Sequence, residues 1–169
     1  ESDFVPYVSP DVTIPELTAK AVGLGIVLSI IMAAANAYLG LYAGMTVSAT
    51  IPAAVIALAV FKALKKYNLV KDATILETNL AKTMASAGES LAAGLTFTLP
   101  ALLILGLWDD IDILKTTIIA LVGGCLGVLF TISLRRVLII DLDLPYPEGV
   151  AATAVLKTGE EGGPGVAFV

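Results

Sequence analysis

Four long apolar runs, separated by short charged connections, set the pattern of this chain. The first covers residues 21–39, just after Lys20. The second covers residues 45–64. Its wholly apolar part, residues 51–64, makes only about 21 Å of helix at 1.5 Å per residue. To reach the length of a span it must take in Thr46, Val47, Ser48, Ala49 and Thr50, which places Pro52 in the first turn or at a kink. The third run covers residues 75–107 and the fourth residues 116–134, extending toward Ile140. A membrane-crossing helix needs about 20 mostly apolar residues. The expectation is an all-α, polytopic membrane helix bundle with about four transmembrane helices, at residues 21–39, 45–64, 75–107 and 116–140. The start of a further element is expected at residues 148–158, after Pro145 and Pro147, with Glu148 and Gly149 opening it.

Within the spans the polar residues are not scattered. At 100° per residue, Leu80, Met84, Leu91, Leu95, Leu99 and Leu102 fall on one sector of the third run, while Asn79, Thr83, Ser86, Ser90 and Gly94 fall on the opposite one. The expectation is that the leucine stripe faces lipid and the polar sector faces protein or water. On the first run Gly25, Ser29, Ala33, Asn36 and Gly40 line one face. Small residues let helices approach closely, and Ser or Asn bonds across the contact. Gly123 and Gly127 in the fourth run carry the same packing signal. Pro100 removes an amide that the Thr96 carbonyl would meet, so a kink is expected there.

Composition agrees with the pattern: 57% of residues are hydrophobic and 15% charged, against about 25% charged in soluble domains. The charge is arranged by connection. Lys20, the group Lys62, Lys65, Lys66 and Lys71, and the pair Arg135 and Arg136 all fall on one side of a four-span bundle. Asp109, Asp110 and Asp112, with only Lys115, fall on the other. The positive-inside rule then puts the N-terminus in the cytoplasm and the protein in the cell membrane. No basic, aromatic-interleaved patch points to nucleic acid. The lone Cys125 cannot form an internal disulfide and reads as a small packing residue. The sequence has no histidine, so proton chemistry falls to carboxylates. No metal-ligand cluster, nucleophile–base pair or phosphate-binding loop is present, so no cofactor and no enzyme activity are expected.

One carboxylate stands out. Between Thr83 and Leu107 the sole ionisable group is Glu89, in Gly88-Glu89-Ser90. An ionisable side chain in hydrocarbon costs roughly 2.5 kcal/mol or more, so it marks a functional site by default. Desolvation penalises the ionised form of a carboxyl group, which suits proton binding. Ser86 and Ser90 are placed to hydrogen-bond it. The bland account is a structural carboxylate paired with an Arg or Lys on a helix absent from this chain. A second candidate is the stretch Asn36-Ala37-Tyr38-Leu39-Gly40, which with Gly44 loosens the end of the first span. Broken helices at membrane depth expose backbone groups to substrate or ions, although interfacial tyrosines at a turn explain the same residues. Glu148, a carboxylate at a helix start, is explained by the helix dipole alone.

These residues also carry a resemblance. Residues 35–41 (ANAYLGL), Ala43-Gly44-Met45-Thr46 and Ile51-Pro52-Ala53-Ala54 are followed by Ala87-Gly88-Glu89-Ser90 and Phe97-Thr98-Leu99-Pro100-Ala101. Gly124, Leu126-Gly127, Arg135-Arg136 and residues 144–151 (LPYPEGVA) complete the series. Together they resemble the oligopeptide transporter (OPT) superfamily, closest to its prokaryotic and yellow-stripe-like branch, over residues 16–159. The resemblance implies a proton-coupled secondary transporter of small peptides or peptide-like metal chelates, working by alternating access. It implies that this chain is the N-terminal portion of a longer protein, its partners being the bilayer, the remaining helices of the same transporter and the substrate, with homo-oligomerisation left open. Glu89, Asn36, Tyr38, Ser86, Ser90 and Glu148 are then the expected substrate- or proton-binding residues. The rival expectation is a non-transporting membrane subunit whose polar faces pack on partner helices.

Overall fold

The computed structural model describes residues 6–70, 72–142 and 144–161. Lys71 and the glycine-rich stretch 162–165 lie outside them. Five α-helices follow one another: α1 (Ala19–Ala43), α2 (Thr50–Lys66), α3 (Ile75–Ile104), α4 (Ile113–Arg135) and α5 (Pro147–Glu161), with a π-helical stretch at Arg136–Asp141 continuing α4. No strand occurs among the described residues. Helices Ala19–Ala43, Ile75–Ile104 and Ile113–Asp141 are long and apolar enough to cross a membrane. The chain is therefore an all-α, multi-pass membrane protein.

Helix α2 corrects the expected second span. It has 17 residues, about 26 Å of helix, short of a hydrocarbon core of roughly 30 Å. Met45–Ala49, which the span needed, is not helical. The cause lies at the end of α1. Gly44 takes a left-handed conformation (φ 67°) and returns its N–H to the Gly40 carbonyl at 3.0 Å, the usual glycine stop of a helix. The chain then doubles back instead of continuing upward. Pro52 falls in the first turn of α2, as expected, and α3 runs on through Pro100.

The chain divides into two compact units. The first holds Ile14–Gly94 with α5. Its core is made by Ala21 and Leu28 of α1, Ala53, Ala57 and Phe61 of α2, and Ala81 and Ala85 of α3. Contacts between α1 and α3 occur in the same order along both helices. Thr18 meets Glu77, Gly25 meets Met84 and Ser29 meets Gly88, so the two run parallel. Helix α2 returns between them: Lys20 lies over the Phe61 ring at 5.9 Å, while Asn36 bonds Val47. Helix α5 runs parallel to α2, with Glu148 at Ser48 and Gly159 against Leu58.

The packing face of α3 differs from the expected one. The buried stripe is Ile75, Thr78, Ala81, Ala85 and Glu89, while Thr83 and Ser90 are exposed. Leu80, expected to face lipid, packs on the core, and a Cβ on Gly25 would lie 2.6 Å from Met84 Sδ. Leucine gains nothing over lipid by facing lipid, so close packing of small residues decides the contact in a membrane. Alanine does that here more than serine.

The second unit holds Leu95–Tyr146, with α4. Asp112 caps α4, accepting from the Leu114 and Lys115 amides at 2.9 and 3.1 Å. Helix α4 buries none of its residues. Gly123 and Gly127 meet nothing within 4 Å, and Cys125 is exposed instead of packed. The packing signal of this helix has no partner among the described residues.

Candidate functional site

Glu89 lies in the middle of α3 and is 7% exposed; Asn36, two turns before the end of α1, is 4% exposed. Their side chains meet: Asn36 Nδ2 donates to Glu89 Oε1. The same amide group donates to the Val47 carbonyl at 3.1 Å, and Asn36 Oδ1 accepts the Val47 N–H at 3.1 Å. One side chain thus binds the buried carboxylate and both polar groups of a non-helical residue. Val47 follows the Gly44 stop, so its backbone has no helical partner to use, and the carboxamide fills that role. Asn36 sits about 10 Å below the end of α1 at 1.5 Å per residue, which brings the start of α2 down to the depth of Glu89.

Gly88 permits the approach. A Cβ there would stand 1.9 Å from Ser29 Oγ and 3.0 Å from the Ser29 carbonyl oxygen. Only glycine lets α1 lie against α3 at this level. Ser90 Oγ donates to Glu89 Oε2 at 3.4 Å.

Beside this pair, hydroxyl groups link three segments. Ser48 Oγ donates to Glu148 Oε1, Ser48 and Thr50 hydroxyls lie 3.1 Å apart, and Thr50 Oγ1 lies 3.3 Å from Ser86 Oγ. Lys82 on α3 supplies the opposite charge that acts on Glu148.

Of the expected site residues, Asn36, Glu89 and Ser90 come together directly. Ser86 is joined to Thr50 and Glu148 to Ser48. Tyr38 is not brought to this group: it is 69% exposed and stacks on Tyr42 with ring centroids 5.8 Å apart. A second buried carboxylate has its cation within this chain. Glu77, with a side chain 1% exposed, pairs with Lys20 at 3.0 Å, accepts from the Thr18 hydroxyl at 2.5 Å and from the Thr74 amide at 3.0 Å, and gives its own amide to Thr74 Oγ1 at 3.1 Å. Sequence reasoning missed it, although Thr74-Ile75-Leu76-Glu77 has the spacing of a capping box. Among the described residues no group of His, Cys, Asp or Glu could hold a metal ion.

A cavity of about 460 Å³ opens at the lysine-bearing end of the first unit, lined by Phe61, Lys62, Lys65, Asp72, Thr78 and Leu156 among others. It does not include Glu89. Its lysines share the space with acidic side chains, and Lys65 is paired with Asp72.

Comparison with known proteins bears on the family of the chain. A protein of Haemophilus influenzae, whose name assigns it to oligopeptide transport, is 47% identical over 104 residues, covering 62% of this chain and 15% of that protein. The chain thus corresponds to a small part of such a relative's length. No solved structure matches it. The profile of the OPT oligopeptide transporter protein family matches residues 16–167, almost the whole chain. The chain belongs to the OPT oligopeptide transporter family, a family of transporters and not of enzymes.

Proposed function

We propose that this chain is the N-terminal portion of a proton-coupled oligopeptide transporter and carries its proton site. Glu89 binds the proton, Asn36 orients it, and Ser86 and Ser90 supply nearby hydroxyls. Small peptides are the cargo, and peptide-like metal chelates the second class to be screened. The single observation that supports this reading is a buried carboxylate held by a neutral amide, with no cation bonded to it among the described contacts. A carboxyl group so placed changes charge when it gains or loses a proton, and that change alters what Asn36 and Val47 bind. In transporters that work by alternating access, substrate and ion sites lie where helices are broken, as the chain is between α1 and α2 beside Glu89. Tyr38, on the exposed face of α1, is left to contact cargo from outside the buried pair.

The test uses the full-length transporter in proteoliposomes, with radiolabelled trialanine or a peptide-like metal chelate as cargo. Glu89→Gln abolishes uptake driven by an imposed proton gradient while the variant purifies and melts like the parent. Undiminished gradient-driven uptake by that variant removes Glu89 from the mechanism.

A further inference from the structure

The hydroxyls beside Glu89 have a direction. An ionised carboxylate only accepts, so Ser48, bonded to Glu148, gives its single hydrogen there. Thr50 also bonds Glu148, so its hydrogen goes to that carboxylate or to Ser48, and either way Thr50 accepts from Ser86. Each hydroxyl donates toward Glu148, and the chain of donors crosses from α3 to the start of α2, to the α1–α2 connection and to α5. Exposure falls along it: Glu148 and Ser48 are exposed, Thr50 and Ser86 are half-buried, and Glu89 is buried. Ser86 and Glu89 are three residues apart on α3, helical neighbours about 5–6 Å apart at Cβ.

We propose that Ser86, Thr50 and Ser48 form a proton relay between the buried Glu89 and the exposed Glu148. This rests on the reading of Glu89 as the proton site. When Glu89 is protonated, its proton passes to Ser86 through one water that the relay requires, as Ser86 gives its own to Thr50 and Thr50 to Glu148, directly or with Ser48 between them. Every O–H bond that breaks is replaced by one on the next oxygen. The net change is an ionised Glu89 and a neutral Glu148, with no electron transferred. Among the described residues Lys82 of α3 supplies the positive charge that acts on Glu148, opposite the two carboxylates of the path. Thr50 belongs to the first turn of α2, so movement of α2 opens or closes the relay.

The experiment separates proton movement from cargo movement in the full-length transporter, again with trialanine. Gradient-driven uptake needs net proton flow; counterflow exchange at equal pH on both sides does not. Thr50→Val keeps shape and removes the hydroxyl, so gradient-driven uptake falls about ten-fold or more while counterflow is retained, and Thr50→Ser restores uptake. Ser86→Ala interrupts the other link and gives the same split, while Ser48→Ala leaves the direct Thr50–Glu148 bond and lowers uptake less. Equal loss of uptake and counterflow in Thr50→Val and Ser86→Ala means the hydroxyls only support the fold, and overturns the relay. Unchanged gradient-driven uptake in Thr50→Val and Ser86→Ala overturns it too. Glu89→Gln run alongside tells the failures apart: if it loses gradient-driven uptake while the hydroxyl variants do not, the relay alone is wrong. If it transports normally, the underlying reading falls.

Discussion

At the scale of single residues, the site depends on one atom that is missing. Gly88 has no Cβ, and Ser29 occupies the space a Cβ would need. Gly88→Ala forces α1 and α3 apart, and because Ser29 meets it with backbone as well as side chain, rotamer change alone does not relieve the contact. A cost of about 1–3 kcal/mol is expected for such overpacking. Gly23, on α1 ahead of Ser29, meets nothing within 4 Å and is the control. The expected outcome is a lower melting temperature in detergent for Gly88→Ala and little change for Gly23→Ala. Equal behaviour of the two variants would contradict the close approach. Glycine at position 88 was visible in the sequence, but its partner was not, since Ser29 and Gly88 are brought together only by helix packing. Asn36 is a similar case. Its polarity inside an apolar run marked it, yet its bond to Val47 depends on a turn that sequence periodicity did not reveal.

At the scale of elements, the first turns of α1 and α3 are joined by one carboxylate. Glu77 completes the capping box of α3 and also receives the Thr18 hydroxyl, which caps α1 by accepting the Ala21 amide at 3.4 Å. Lys20 provides its counter-charge. Removing one partner of a buried ion pair costs more than the pair itself contributes, because the remaining polar groups stay dry and unmatched. Glu77→Ala is expected to destabilise the protein by about 3 kcal/mol, read as a lower denaturant midpoint, with faster hydrogen exchange at the first turns of both α1 and α3. Faster exchange confined to α3 would mean that the carboxylate caps its own helix only. The elements themselves were legible where hydrophobic length decides them: α1, α3 and α4 match the expected spans closely. Helix α2 was not, because residues 45–49 continue the apolar run but follow the Gly44 stop, with Val47 bonded to Asn36 instead of to a helix.

At the scale of the whole molecule, direction along the membrane follows from packing and charge together. The parallel run of α1 and α3 requires a return between them, and α2 makes it despite its 17 residues. Its basic end, Lys62 to Lys66, then lies beside Lys20 and the start of α3. The positive-inside rule assigns that end to the cytoplasm. With Cys125 replaced by Ser, a cysteine at Asp110 is expected to react with an impermeant maleimide in intact cells, and one at Lys66 only after permeabilisation. The opposite pattern would invert the protein in the membrane.

Composition, hydrophobic run length and the order of motifs were enough to establish a helical membrane protein, its family and the one carboxylate out of place in an apolar helix. These are local properties, set by the cost of exposing charge to hydrocarbon and by the repeat of a single helix. Tertiary structure decided which face of α3 is buried, that α2 starts at the depth of Glu89, and that Ser48, Thr50, Ser86 and Glu148 form one chain of hydroxyls ending on a carboxylate. Those pairings join residues up to a hundred positions apart, and small side chains bring them together by shape, which leaves little trace in the periodicity of any one helix.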